Sequence, residues 1–240
     1  MDNIIYLDKQ FIAGLSDTFT AQPHRHPVVE IYASCCGTSH IAVQEALIEG
    51  QIIVVGHNVM HTITDSCKPG IAIFVDPISE FGYSLNESIL AGCEYKVTSN
   101  CEIKDILGGL SEKSTQQDIR SAADVIIDHL QDEFIPRPFS DDVIKAIDLI
   151  CDEKENFDMT LLAERIHLSK SRLAHIFSEQ TGITLKSYLQ FKRIERAFRQ
   201  MAEGSSITEA AYNTGFSGSS HIASSSRKLL GMQLRKLLNI

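Results

Sequence analysis

Three histidines and one glutamate near the start of the chain have the residue types and spacing of a ligand site. His24, His26 and Glu30 lie in the stretch HRHPVVE, and a regular strand would point all three to one face. His61 ends a second apolar run, GQIIVVGHNVMH. Three neutral imidazoles and an ionised carboxylate suit Zn, Mn, Fe or Ni. The pattern predicts a divalent metal site or a polar ligand pocket.

The metal-free alternative uses the same four side chains differently. They would hydrogen-bond a polar small-molecule effector, and Tyr32 and Phe74 would form apolar walls of the pocket.

A second candidate site is the helix expected in LSKSRLAHIFSEQTG, where Ser169 can cap the start and Gly182 can end it. Its apolar side contains Leu173, Ile176 and Phe177. The outward side contains Lys170, Ser171, Ala174, His175 and Ser178. In a helix-turn-helix the second helix buries one side so that the opposite side can enter the DNA major groove.

The charge of the chain is unevenly distributed. Residues 1–155 hold 10 Lys+Arg against 25 Asp+Glu, a balance of −15, whereas residues 156–240 hold 12 against 6, a balance of +6. The formal net charge is therefore −9 although the C-terminal third is basic. This asymmetry predicts that the C-terminal third contacts a polyanion.

The elements that carry these residues differ between the two ends of the chain. Residues 3–76 contain short runs such as VVEIYA, QIIVV and GIAIFV separated by glycines, which is typical of a β-sandwich or barrel. A helix that ends before Pro136 would then align these apolar residues: Ile119, Ala123, Ile126, Leu130 and Phe134. That stripe would pack against its own barrel or form a homodimer seam.

The sequence after Pro136 and Pro138 has the pattern of helices and contains a weak internal repeat. GITLKSYL is echoed 49 residues later by GMQLRKLL, and LLAERIHLS is echoed 48 residues later by EAAYNTGFS. Each copy predicts a short helix, a tight turn and a second helix. Thr160 and Ser169 are the expected caps of the first copy, and Ser206 with Glu209 forms a capping box in the second, where Gly215 supplies the turn.

Residues from about 143 to 240 resemble the DNA-binding domain of the AraC/XylS family of bacterial transcription regulators. The resemblance lies in LLAERIHLSKSRLAHIFSEQTG, in SITEAAYNTGF and in the long helix LKSYLQFKRIERAFRQMA between them. It implies two helix-turn-helix units on a connecting helix, entering successive major-groove segments of double-stranded DNA. By position it implies base contacts from Ser171, Ala174, His175, Ser219, Ser220, His221 and Ser224, with Lys170 and Arg172 nearer the backbone. Arg196 on the connecting helix is expected to strengthen binding to all sequences equally.

The second unit departs from that family. Ile222 and Ser226 stand where the family usually has two aromatic or large apolar residues, and its outward face has no Lys or Arg before Arg227. Serines hydrogen-bond bases with little direction and no charge. We therefore expect the first unit and the connecting helix to supply most of the affinity.

The N-terminal ligand residues resemble the two cupin motifs, in which histidines and a glutamate hold a divalent metal inside a small barrel. Gly56 and Asn58 replace the proline and glycine usual in the second motif. Sensor domains of the AraC/XylS family are cupin-like barrels that usually bind a small molecule without metal. The resemblances together imply an α+β chain: a cupin-like β-barrel at 1–80, a helical linker expected to form the dimer interface at 81–139, and an all-α double helix-turn-helix domain at 140–240.

The function expected from these features is a DNA-binding transcription regulator whose barrel senses a small molecule or a metal. The alternative is a cupin metalloenzyme, dioxygenase-like or isomerase-like, fused to a DNA-binding module. The expected partners are double-stranded DNA, a small-molecule effector, a second copy of the chain and, for an activator, RNA polymerase. No apolar run approaches membrane-spanning length and the first residues, MDNIIYLDKQ, lack an export signal, so we expect a cytoplasmic protein without membrane contact.

Overall fold

The structure, a computed structural model, describes residues 4–16, 23–35, 37–64, 69–131, 134–152 and 158–230, with side chains to Arg227. The chain divides into two compact units: the first contains the described residues up to Pro136 and those from Ser226 onward, and the second is Arg137–Ser225. The repeated segment GMQLRKLL lies outside the described residues.

The first unit is built mainly of antiparallel strands. Its strands are β1 (Ile4–Leu7), β2 (Phe11–Ser16), β3 (Val29–Ser34), β4 (Ser39–Val43), β5 (Ala46–Gly50), β6 (Ile52–Val55), β7 (His61–Ile63), β8 (Gly70–Val75) and β9 (Tyr95–Thr98). Six of them form a sheet in the order β1-β2-β8-β3-β6-β9, and three form a sheet in the order β5-β4-β7. The predicted β-rich N-terminal unit is confirmed, with its strands hydrogen-bonded as two sheets.

The pleat of the larger sheet separates its apolar core from the candidate ligand site. On β3, Val29 and Ile31 belong to the main apolar cluster, together with Ile73 from β8. Glu30 lies between them in sequence and pairs with Phe74 in the register of β3 and β8, so both point to the opposite face. The period of two thus places one carboxylate away from the apolar cluster.

Helices cover the apolar face of this sheet. They are α1 (Glu80–Ser84), a π-helical turn (Leu85–Leu90), α2 (Cys101–Gly108) and α3 (Gln116–Leu130). The buried stripe of α3 is Ile119, Ala122, Ala123, Ile126 and Leu130, and it shares one core with β2, β3 and β8. Packing of α3 on its own unit is therefore confirmed, and the dimer-seam alternative for this stripe is wrong because the sheet already covers it.

The predicted helix is shorter at its end than expected. It stops at Leu130, so Phe134 is not part of the stripe and its side chain is 60% exposed. Because α2 and α3 contribute to the same core as the sheet, they belong structurally to the first unit. The division of the chain at residues 80 and 139 stays a prediction.

The second unit is all helical. Its helices are α4 (Asp141–Cys151), α5 (Met159–Ile166), α6 (Lys170–Thr181), α7 (Leu185–Ala202), α8 (Ile207–Asn213) and the part of α9 (Ser219–Leu230) up to Ser225. The predicted all-α C-terminal unit is confirmed. Among the described residues, no helix has the length and apolar character needed to cross a membrane.

Capping residues set the helix boundaries, with one change from the prediction. Asp158 caps α5 and accepts hydrogen bonds from the backbone N–H groups of Thr160 and Leu161 at 2.8 Å each, so the expectation that Thr160 is the cap is wrong. A carboxylate near the positive end of the helix explains the earlier start. The other predicted signals are confirmed: Ser169 caps α6, Gly182 ends it, Ser206 and Glu209 form the capping box of α8, and Gly215 turns with a φ of +82°.

Candidate metal centre and DNA-facing helices

A β-bridge and two strands bring the four predicted ligand residues together. His24 and His61 exchange backbone hydrogen bonds of 3.0 Å in both directions, which fixes the segment before β3 against the start of β7. His26 follows this bridge, and Glu30 lies on β3. One side-chain nitrogen or oxygen from each of the four lies within 4.8 Å of every other.

Glu30 is the centre of this cluster. Its Oε2 lies 3.0 Å from His26 Nε2 and 2.8 Å from His61 Nε2, and all three side chains are buried. Neighbouring ligands of an ion with bonds of about 2.1 Å lie about 3 Å apart when their bonds make a right angle. The distances from Glu30 Oε2 to the two imidazole nitrogens therefore fit hydrogen bonds and also fit neighbouring ligands of one ion.

Backbone carbonyls define which nitrogen of each imidazole carries a proton. His26 Nδ1 lies 2.9 Å from Val28 O, and His61 Nδ1 lies 2.9 Å from Val59 O. A carbonyl oxygen only accepts, so both Nδ1 atoms carry hydrogen and donate. In a neutral ring the Nε2 atom then holds a lone pair facing Glu30. That contact is favourable only with a proton between the two groups or a cation between them.

The pKa shifts describe the metal-free state, in which a proton lies between Glu30 and an imidazole. Burial raises the pKa of Glu30, but hydrogen bonds from His26 and His61 outweigh it and leave the pKa well below its ordinary value. Burial lowers the pKa of His61, yet the hydrogen bond and charge of Glu30 raise it overall. Without metal, a proton on His61 offsets the buried carboxylate charge. A divalent cation would supply that positive charge itself.

The remaining oxygen of Glu30 also fits a cation. Glu30 Oε1 is buried and has no hydrogen-bond partner among the residues that the structure describes. An unsatisfied buried carboxylate oxygen is costly. The donor set, the tautomers and this oxygen together fit a divalent metal held by His24, His26, Glu30 and His61.

Of the two predicted pocket-wall residues, Phe74 contacts this cluster. Phe74 is 3% exposed, and its ring packs edge-on against His26 with centroids 5.8 Å apart. Tyr32 is 2% exposed and packs against Gly70, where an added Cβ would come within 2.4 Å of the Tyr32 hydroxyl. Both side chains are therefore packed in the interior, and their contact with an effector stays a prediction.

Helix α6 presents the outward face expected from its sequence. Leu173, Ile176 and Phe177 are buried. The predicted contact residues Lys170, Ser171, Arg172 and His175 are exposed, and Ala174 is half-buried. His175 Nε2 lies 3.8 Å from Glu179 on the same exposed side. The arrangement leaves the first two turns of α6 accessible to a large ligand.

Helix α9 repeats this arrangement, but its outward face has fewer charged residues than that of α6. Ile222 is fully buried, whereas the predicted contact residues are exposed: Ser219, Ser220, His221 and Ser224. His221 Nδ1 lies 3.1 Å from Ser217 Oγ, which holds the ring at the start of the helix. Each of the two helix-turn-helix motifs therefore consists of a supporting helix, a turn and an outward second helix. Helix α7 connects the two motifs.

Comparison with known proteins places this arrangement in a family. Residues 162–239 match the family model of a helix-turn-helix domain. The HTH-type transcriptional regulator YbfI of Bacillus subtilis is 35% identical over 89 residues, which are 37% of this chain and 32% of that protein. The C-terminal unit is an AraC-type helix-turn-helix domain. The chain spans about a third of the curated relative that it matches.

The fold of the chain beyond the AraC-type domain is also known. ToxT from Vibrio cholerae superimposes with a TM-score of 0.57 over 96% of this chain and 98% of that protein, at 13% identity. A ToxT structure with a bound unsaturated fatty acid gives a TM-score of 0.54 over 97% of this chain and 96% of its own length, at 14% identity. At such low identity the likeness concerns the fold alone.

Within the AraC-type domain, Arg196 has a contact that the sequence does not reveal. Its Nη2 donates to the carbonyl oxygens of Ile150 and of Asp152, the latter at 3.3 Å. These carbonyls close α4, which has no basic residue in its last turn. A guanidinium from α7 therefore satisfies the end of a helix 44 residues away in sequence. Its predicted DNA contact stays a prediction.

Ser226 stands in α9 where the AraC/XylS family usually has an aromatic or large apolar residue, and this difference has a structural cost. Its side chain is fully buried, and Oγ has no hydrogen-bond partner in the part of the chain that the structure describes. A large apolar residue would have no polar atom to satisfy at this position. The buried hydroxyl of Ser226 therefore costs α9 stability, and the weaker DNA contribution expected of this helix stays a prediction.

Proposed function

We propose that this protein is a transcription regulator that binds double-stranded DNA through α6 and α9 and binds a divalent metal ion in its N-terminal unit. The observation that supports the first part is the pair of outward helices on one connecting helix in an AraC-type domain. Two such helices match successive major-groove segments of one duplex.

DNA recognition divides between bases and backbone. Ser171, Ala174 and His175 lie on the outward face of α6 and would meet base edges, while Lys170 and Arg172 would meet phosphates. On α9, Ser219, Ser220, His221 and Ser224 would contribute weaker readout because their face is uncharged. Selection of binding sites from random duplexes by the full-length protein tests this proposal. A shared motif is expected, and recovery of random sequences at every salt concentration would contradict it.

The metal would be held by His24, His26, Glu30 and His61. It would supply a fixed positive charge between Glu30 and the imidazoles and tie the segment before β3 to β7. Zn, Mn, Fe and Ni all accept this donor set. Native mass spectrometry of protein purified without chelators tests the site: one ion per chain is expected, lost in His26→Ala and kept in His40→Ala.

An organic effector is the second candidate, supported by the fold likeness to a ToxT structure that holds a fatty acid. In that case the four polar side chains, with Tyr32 and Phe74, would contact a small molecule instead of a metal. The same spectra distinguish the two, because a retained organic ligand has a different mass from a metal ion.

The bound ion or molecule would act by changing DNA affinity. A regulator needs different affinity for its effector in two states, whereas an enzyme needs a substrate that turns over. We propose the regulator, acting as a homodimer, with RNA polymerase as a partner if it activates. Effector-dependent DNA affinity supports this proposal, and substrate turnover by the metal-loaded protein would instead favour the metalloenzyme.

A further inference from the structure

A cleft of about 450 Å³ in the second unit contains basic residues that the predicted DNA contacts leave out. It lies between the start of α5, one side of α7 and the turn into α9. Lys186 and Arg193 from α7 line it, together with His221 from α9 and Asp158 from the α5 cap. Two permanent positive charges thus face one concave surface.

The contacts around Asp158 show where this cleft lies. Lys170, the first residue of α6, donates from Nζ to Thr160 Oγ1 at 3.1 Å, so the starts of α5 and α6 are adjacent. The pKa of Asp158 is lowered by hydrogen bonds from Leu161 and Thr160 and by the charges of Arg193 and Lys170. His221 brings the first turn of α9 to the same cleft. The cleft therefore borders the first turn of α9 and the start of α5, which is itself next to the start of α6.

The other basic residues of α7 are engaged elsewhere. Lys192 is buried and its Nζ lies 2.8 Å from Glu195 Oε2, while Arg199 Nη2 lies 3.4 Å from Glu195 Oε1. Arg196 donates to the end of α4. Lys186 and Arg193 are the α7 cations that line the cleft. Lys186 and Arg193 thus differ from these three residues in that their side chains line the cleft.

Gly215 lines the cleft beside Arg193. An added Cβ there would lie 3.7 Å from the Arg193 guanidinium carbon, and the φ of +82° already disfavours other residues. The Asp158 carboxylate accepts two N–H groups of α5, and its charge is opposed by Arg193 and Lys170. With Lys186 added, the cleft keeps a positive balance that favours an anion.

We propose that this cleft binds a backbone phosphate of the DNA duplex, held by Lys186 and Arg193 with His221 at the rim. This inference rests on the proposed function. When α6 and α9 enter successive major-groove segments, the sugar-phosphate strand between those segments faces the surface between the two helices. A phosphate there would fix the register of both helices without reading sequence.

The test measures DNA affinity of the full-length protein against salt concentration, using a selected duplex and a random duplex. Lys186→Gln is expected to reduce the slope of log affinity against log salt by about 0.9, which is about an eightfold loss at 0.1 M salt on both duplexes. Lys186→Arg should keep the wild-type slope. Lys145→Gln, an equal charge change at an exposed site on α4, should also keep it.

Two results separate this inference from the proposed function. A wild-type slope in Lys186→Gln, with wild-type DNA binding intact, would overturn the phosphate cleft and leave the regulator proposal standing. If the wild-type protein binds neither duplex at low salt, the regulator proposal fails and the cleft proposal fails with it.

Discussion

Metal binding should stabilise the first unit by an amount set by the ratio of the ion concentration to its dissociation constant. The four ligands come from the segment before β3, from β3 and from β7, so the complete site exists only when these segments are folded together. A ligand that binds only the folded state at a hundred times its dissociation constant adds about 2.7 kcal/mol to the free energy of unfolding. For a unit of about 130 residues, whose entropy of unfolding is about 0.27 kcal/mol/K, this raises Tm by about 10 °C.

Differential scanning calorimetry of chelator-treated protein, with and without Zn²⁺, measures this shift. His61→Ala removes a ligand and one of the two hydrogen-bond partners of Glu30, so this variant should lose the shift. His40→Ala is the matched control, because His40 lies on β4 outside the cluster and pairs with exposed Glu49. An equal Zn²⁺ shift in His61→Ala and in wild type would refute the site, as would no shift in wild type with Zn, Mn, Fe or Ni.

Three further substitutions test the AraC-type domain. His175→Ala should weaken binding to the selected duplex by about 1–3 kcal/mol and spare random DNA, and an equal loss on both would contradict base contact. Arg196→Ala should lower the free energy of unfolding by about 1.5–3 kcal/mol in a denaturant titration, because α4 loses a charged donor; unchanged stability would rule out that role. Ser226→Ala should raise stability by about 1 kcal/mol by removing an unsatisfied buried hydroxyl, whereas Ser224→Ala at an exposed site should not.

Local signals were the most reliable part of the sequence. Ser169 and Gly182 bound α6 as predicted because capping depends on backbone groups within one turn of the residue. The error at Thr160 has the same local origin: Asp158, two residues earlier, is also a good cap and reaches two N–H groups. Phe134 fits the helical period but lies beyond Leu130, where α3 ends. Periodicity therefore identified the helix better than its last turn.

Contacts between segments that are distant in sequence were harder to predict. The sequence supplied His24, His26, Glu30 and His61 as candidate ligands, but their grouping depends on the bridge that joins His24 to His61. The carbonyls of Val28 and Val59, which fix the imidazole tautomers, leave no trace in the residue types. Any residue offers a carbonyl, and only its position decides what it accepts.

Composition and periodicity by themselves determined the two-part organisation, the basic C-terminal end and the double helix-turn-helix, because these depend on residue types and on neighbours within a few turns. The tertiary structure decided what the charged side chains do. It buried Lys192, turned Arg196 to the end of α4 and placed Lys186 and Arg193 in one cleft. It also decided that the α3 stripe packs on its own sheet. A charge or an apolar face has the same pattern in sequence whichever partner it meets, and only folding selects that partner.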